Sequence, residues 1–258
     1  MIPKIIHYCW FGRNPLSELA LRCIASWRKF LPDYEIKEWN EDNFDVNIIP
    51  YTADAYKQKK YAFVSDYARF WIMYKYGGIY FDTDVEVIRP MEDIIAQGNF
   101  MGFEMDPDGK NTPERYAPRY CFGVNPGVGF GMAKEHPFLK RMLDLYLTLT
   151  FQPVSVDIAW YKTIVAYTTE MLCRRGLKNV QGIQIVDDIK IYPSEYFSPT
   201  NVISNRIHIT ANTYTIHRFA GSWDSNKKKT LKGIISDYIP ECVFYFNNKI
   251  KRRKYRIR

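Results

Sequence analysis

One stretch constrains this chain more than any other: residues 65–86, SDYARFWIMYKYGGIYFDTDVE. Its first part repeats apolar residues at helical spacing, two glycines stop the helix, and a short apolar run leads to two aspartates one residue apart. In an extended segment alternate side chains share a face, so Asp82 and Asp84 are expected to point the same way and Thr83 the other. Two carboxylates at the end of a buried strand can hold a hard divalent cation and leave positions open for water or a phosphate-bearing substrate. Such a pair can also be no more than an acidic turn capping a strand. Its predicted place, past the carboxyl end of a strand in an open α/β sheet, is where such sheets bind ligands.

The rest of the chain reads as alternating strands and helices. Residues 4–8 (KIIHY) predict a first strand, and a helix is expected over 15–30, with Pro15 at its first position and Asn14 as its cap. A second strand at 34–39 then implies a mostly parallel sheet. Helices are predicted over 53–59 and 61–76, with Gly77 ending the second and Gly78 allowing a close backbone approach before a strand at 79–81. Further on we expect a short helix at 91–97, a strand at 99–104, a long loop at 105–120 that serves as a mobile lid or a binding loop, helices at 137–149 and 157–175, and strands near 183–186 and 214–217. The 258 residues suffice for one substantial core, so we expect one domain over 1–225 and a basic extension over 226–258.

The beginning of the chain lacks a long apolar core and a small-residue cleavage site, so no signal peptide is expected, and charges interrupt every apolar run, so no membrane span is expected. Five cysteines, scattered and without metal-binding spacing, suit a reducing compartment. Much of the net charge of +8 sits in KKK at 227–229 and in the closing run KIKRRKYRIR. Interleaved with aromatic and aliphatic residues, that run is either a solvated charge tract or a contact for an anionic surface.

Three blocks, IPKIIHYCWFG at 2–12, the segment 65–86, and TIHRFAGSW at 215–223, occur in an order that resembles the DxD sugar-transferases of glycosyltransferase family 32. Bacterial capsular-polysaccharide and lipooligosaccharide members are the subtype it is most similar to. The resemblance implies a GT-A fold, Rossmann-like in its nucleotide-sugar-binding half, with a UDP-sugar donor, Mn²⁺ or Mg²⁺, and retention of anomeric configuration.

By matching positions, the resemblance implies donor-sugar contacts from Asp66, Arg69 and Asn125. It implies nucleotide or diphosphate contacts from His7, Tyr8, Trp10, Asp82, Ser222 and Trp223. The cation falls to Asp84, to Asp82 through water, and to His217. Each has a plainer alternative: a helix-surface ion pair for Asp66 and Arg69, core packing for His7, Tyr8, Trp10 and His217, a turn for Asn125. Asp157 faces the acceptor or caps a helix.

The function expected is a metal-dependent hexosyl or N-acetylhexosaminyl transfer to a cell-surface polysaccharide or a lipid-linked glycan. The protein is expected in the cytoplasm, held by its basic tail to the inner face of the membrane, with no nucleic-acid partner. A metal-dependent phosphodiesterase acting on nucleic acid and a non-catalytic membrane-surface adaptor are the alternatives.

Overall fold

The computed structural model describes residues 1–109, 122–152, 163–200 and 206–220. The chain opens with strand β1 (Ile5–Cys9), helix α1 (Glu18–Phe30) and strand β2 (Glu35–Trp39). Helices α2 (Pro50–Lys57) and α3 (Tyr61–Tyr76) lead to β3 (Gly78–Tyr80), and after a turn come β4 (Val85–Val87), the short α4 (Glu92–Ile95) and β5 (Phe100–Met105). The second half contributes β6 (Gly123–Val124), β7 (Phe130–Met132), α5 (Pro137–Thr148) and α6 (Ile164–Cys173). It closes with β8 (Gln184–Val186), β9 (Ile189–Tyr192), α7 (Ser194–Phe197) and β10 (Thr215–His217).

The fold is α/β, as expected. The main sheet runs β2-β1-β3-β7-β5-β9-β8, with β6 beside β5, while β10 and β4 form a separate antiparallel ribbon. Parallel pairing holds for β2-β1-β3 and for β5-β9, but β7 lies antiparallel to both β3 and β5. The sheet is therefore mixed rather than mostly parallel. Helices cover both faces: Phe70, Ile72, Phe138 and Tyr146 pack on one side, and Ile24, Trp27, Val85 and Met91 on the other.

Local chemistry explains where the elements begin and end. Helix α1 starts three residues later than predicted, because Ser17 rather than Asn14 caps it, accepting from the Ala20 N–H at 3.2 Å. The Asn14 carbonyl is instead held in the loop by Trp10 Nε1 at 2.7 Å. Helix α2 begins earlier than expected, with Pro50 in its first turn. Helix α3 spans the predicted residues and stops at Gly77. At Gly78, φ is +111° and a Cβ would lie 2.5 Å from the Ile5 carbonyl oxygen, so only glycine lets β3 seat against β1.

The DTD segment departs from expectation. Residues 82–85 form a turn, closed by a 3.0 Å hydrogen bond from the Val85 N–H to the Asp82 carbonyl, so strand alternation does not set the carboxylate directions. Backbone contacts fix the turn instead: the Phe81 N–H donates to the His7 carbonyl and the Asp82 N–H to the Gly127 carbonyl, both at 3.1 Å. At its exit, Trp27 Nε1 donates to the Val85 carbonyl at 2.7 Å, tying α1 to β4.

Candidate active site

Asp66 and Arg69 lie one turn apart on the face of α3 that meets the sheet, and both are buried. Arg69 Nη2 reaches Asp66 Oδ1 at 3.2 Å and Asp82 Oδ1 at 3.2 Å, while Nη1 reaches Asp82 Oδ2 at 3.4 Å. The guanidinium thus forks onto Asp82 and holds Asp66 with the same edge. Its flat face lies over the Tyr80 ring, 4.8 Å from the centroid, and the Tyr80 hydroxyl donates to Asp82 Oδ1 at 3.2 Å. Burial raises the Asp66 carboxyl to about 7 against the opposing pull of Arg69, and the Asp82 charge adds to the rise. A group in that state both donates and accepts hydrogen bonds near neutral pH, which suits sugar hydroxyls. The pair is no surface ion pair.

Asn125 reaches the same spot from the β6–β7 turn. Its Oδ1 accepts from the Gly127 N–H at 2.6 Å, and its Nδ2 donates to Glu104 Oε1 at 2.8 Å. Gly127 is packed so closely on Asp82 that a Cβ there would overlap Asp82 Oδ2 and lie 2.9 Å from Asn125 Oδ1.

Asp84 turns to a different set of partners. Its Oδ2 accepts from the Ala220 N–H at 2.8 Å and its carbonyl from the Arg218 N–H at 2.9 Å, so the segment after β10 wraps around it. His217 Nε2 lies 3.4 Å from Asp84 Oδ1, and Nδ1 lies 3.3 Å from Glu104 Oε1. The second contact is an ion pair only, because Nδ1 makes no hydrogen bond. Burial would lower the imidazole, but the two carboxylates outweigh it and raise His217 to about 10. Burial likewise pushes Asp84 upward, yet His217 and the Ala220 N–H hold it below the usual carboxylate range.

The structure places two of the expected nucleotide contacts in the core. His7 is fully buried, with Nε2 2.9 Å from the Gly77 carbonyl and Nδ1 accepting from Trp39 Nε1 at 3.0 Å. Burial lowers it to about 4, which fixes it as a neutral core residue. Tyr8 is buried against Trp27, and its hydroxyl donates to Glu38 Oε2 at 2.6 Å. Both sit on β1, an interior strand between β2 and β3, which accounts for their depth. Trp10, just past β1, is half-buried and keeps part of its ring accessible. Ser222, Trp223, Asp157, most of the predicted 105–120 loop and the basic extension lie outside the described residues.

Sequence reasoning overlooked Tyr80, Glu104 and Gly127. Tyr80 stands two residues before Asp82, and that closeness in sequence was the one usable signal for a contact between them. Nothing local marks the other two.

Residues 17–101 match the family model described as a glycosyltransferase sugar-binding region containing a DXD motif, and the match includes Asp66, Arg69, Asp82 and Asp84. The chain carries the sugar-binding region of the DXD glycosyltransferases. Inositol phosphoceramide mannosyltransferase 3 of Schizosaccharomyces pombe is 30% identical over 176 residues, covering 62% of this chain and 45% of that protein. The chain therefore spans less than half the length of that relative. The initiation-specific alpha-1,6-mannosyltransferase of Candida albicans is 22% identical over 278 residues, covering 86% of this chain and 72% of that protein. Among solved structures, PaToxG glycosyltransferase is similar at 19% identity and a TM-score of 0.46, over 67% of this chain and 69% of that one.

The sugar-binding region implies a divalent cation, and the side chains accommodate one unequally. Asp82 has both oxygens committed to Arg69. Asp84 Oδ1 and His217 Nε2 face one another, and a carboxylate oxygen with an imidazole nitrogen is a donor set suited to Mn²⁺ more than Mg²⁺. Among the described residues no third His, Cys, Asp or Glu completes a cage, since Glu104 lies on the opposite edge of the imidazole. Remaining positions are left for water and substrate oxygens.

Proposed function

We propose that this chain is a metal-dependent, retaining glycosyltransferase that moves a hexose or N-acetylhexosamine from a nucleotide sugar, UDP-linked as the leading candidate. The acceptor is a growing cell-surface polysaccharide or a lipid-linked glycan. One observation carries the reading: within the matched sugar-binding region, Arg69 is held between Asp66 and Asp82 in a buried cluster of hydrogen-bonding groups at the carboxyl end of β3.

In this reading Asp66 and Arg69 bind donor-sugar hydroxyls, and Asn125 offers its second Nδ2 hydrogen while shaping the turn beneath them. Asp84 and His217 hold the cation, which when bound neutralises charge on the departing diphosphate. Trp10 stacks on the base. Transfer with retention breaks the bond between the anomeric carbon and the diphosphate oxygen and forms the new C–O bond on the same face. The acceptor hydroxyl proton passes to the leaving diphosphate, so no protein base is required.

A lipid-linked acceptor is supported by the S. pombe relative, whose name places a ceramide lipid among that protein's substrates. It accords with a cytoplasmic enzyme docked on an anionic membrane by the basic extension at 226–258. No helix among the described residues is long and apolar enough to cross a membrane.

The test is donor hydrolysis and transfer in Mn²⁺ buffer with a panel of nucleotide sugars. Asp84→Asn is expected to lose about 10²–10³-fold in turnover. Undiminished turnover by that variant would refute the proposal.

A further inference from the structure

The cation and sugar halves of the site are joined by one side chain that neither half explains. Glu104 sits on β5, the strand on the far side of β7 from β3, and points its carboxylate back towards the acidic turn. A single oxygen, Oε1, accepts from Asn125 Nδ2 at 2.8 Å and pairs with His217 Nδ1 at 3.3 Å. Its side chain is only 18% exposed, and that of His217 only 10%. A carboxylate so placed is costly to desolvate, and the contacts that compensate it here are those two residues. The Nδ1 atom of His217 is in turn fully buried and makes no hydrogen bond, although it lies within reach of Glu104. At 3.3 Å the two atoms are within hydrogen-bond distance, and turning the ring to aim the N–H at Oε1 makes that bond.

We propose that Glu104 is a positioning residue that sets the tautomer and orientation of His217 and, through the same oxygen, the pose of Asn125. The inference rests on the reading of Asp84 and His217 as the cation-binding pair. An imidazole can ligate through Nε2 only if Nε2 carries a free lone pair, which requires the ring proton to be on Nδ1. Accepting from Nδ1–H, Glu104 selects that tautomer and turns Nε2 towards Asp84 Oδ1. Carboxylates behind metal-bound histidines act in this way generally, and their loss costs 10–100-fold in metal affinity. Because Asn125 shares the oxygen, a ring rotation at His217 is felt at the turn that holds Gly127 against Asp82. Cation occupancy and the shape of the sugar subsite are thereby linked.

The experiment titrates the full chain with Mn²⁺ alone, following free Mn²⁺ by electron paramagnetic resonance and the ¹⁴N modulation of the bound ion. Glu104→Gln is nearly isosteric, and its amide can donate to Nδ1 and stabilise the wrong tautomer. We expect about 10-fold weaker Mn²⁺ binding and a reduced ¹⁴N signal, with the melting transition retained. In a His217→Gln background the same substitution should change Mn²⁺ affinity less than twofold, because the residue it acts through is gone. Equal losses in the two backgrounds, or unchanged binding and ¹⁴N modulation in Glu104→Gln, would overturn the role. Wild-type binding that is indifferent to both Asp84→Asn and His217→Gln would instead overturn the cation pair itself and take this inference with it. Should Glu104→Gln fail to fold, Glu104→Asp draws the carboxylate back by one methylene; weakened Mn²⁺ affinity with reduced ¹⁴N modulation then supports the role, and wild-type affinity and modulation reject it.

Discussion

The two clusters on either side of the DTD turn are built in opposite ways. Asp66, Arg69, Tyr80 and Asp82 come from one continuous helix and strand, and a buried guanidinium satisfies the carboxylates. Asp84, Glu104 and His217 come from three distant segments, and the only positive group among them is an imidazole with one unsatisfied nitrogen. The first cluster has its charges balanced within the protein before any sugar binds. In the reading proposed above, the second is completed by the cation it holds. Charge removal should therefore damage folding in the first and ligand binding in the second.

The largest expected effect tests that contrast directly. Arg69→Met leaves Asp66 and Asp82 without their cation and should cost about 3–5 kcal/mol in urea unfolding at neutral pH. Asp84→Asn keeps an oxygen for the Ala220 N–H and should cost only about 1–2 kcal/mol. Similar losses in the two variants would erase the distinction.

Next in size is the foundation of the first cluster, where His7 lies under Gly78. Its folded-state value of about 4 against an ordinary 6.5 means that the unfolded chain takes up a proton first as the pH falls. The neutral His7 therefore contributes stability above about pH 6.5 that is lost as the pH drops to about 4, on the order of 3 kcal/mol. Asp66, raised by burial, works in the reverse direction over much of the same range, so the wild-type curve alone is uninformative. Subtracting the stability of His7→Asn from that of wild type isolates the term, and a difference that stays flat between pH 6.5 and 4 would contradict it. The smallest effect concerns the seam between the clusters. Gly127→Ala forces the Asp82 carboxylate away from its place beside Arg69 and should cost about 1–3 kcal/mol by chemical denaturation.

What was legible in the sequence follows the same division. Helix α3, its glycine stop and the acidic pair could be read because period, breaker and strand are encoded within 65–86. The pairing of Arg69 with Asp66 was visible at a three-residue spacing, but its fork onto Asp82 was not, because the turn that brings Asp82 under α3 is set by the Gly127 carbonyl. Strands β4 and β9 escaped prediction: each is only three or four residues long and owes its pairing to a partner, β10 for the one and β5 with β8 for the other. His7 and Tyr8 were placed on the correct strand, yet their depth depends on β2 and β3 closing over both edges of β1. Glu104 has no local signature at all. Its meaning arises only when β5 and β10 come to lie on either side of the turn.

Sheet order bears on how such a region can be moved between proteins. Strand β3 is flanked by β1 and by β7, and both lie outside residues 17–101, the segment that matches the family model. A fragment cut to those limits would leave β3 bare along both edges, open to pairing with another copy of itself. The segment that matches the family model is thus smaller than the unit that folds, and a transplant of the donor site must carry the neighbouring strands from both ends of the chain.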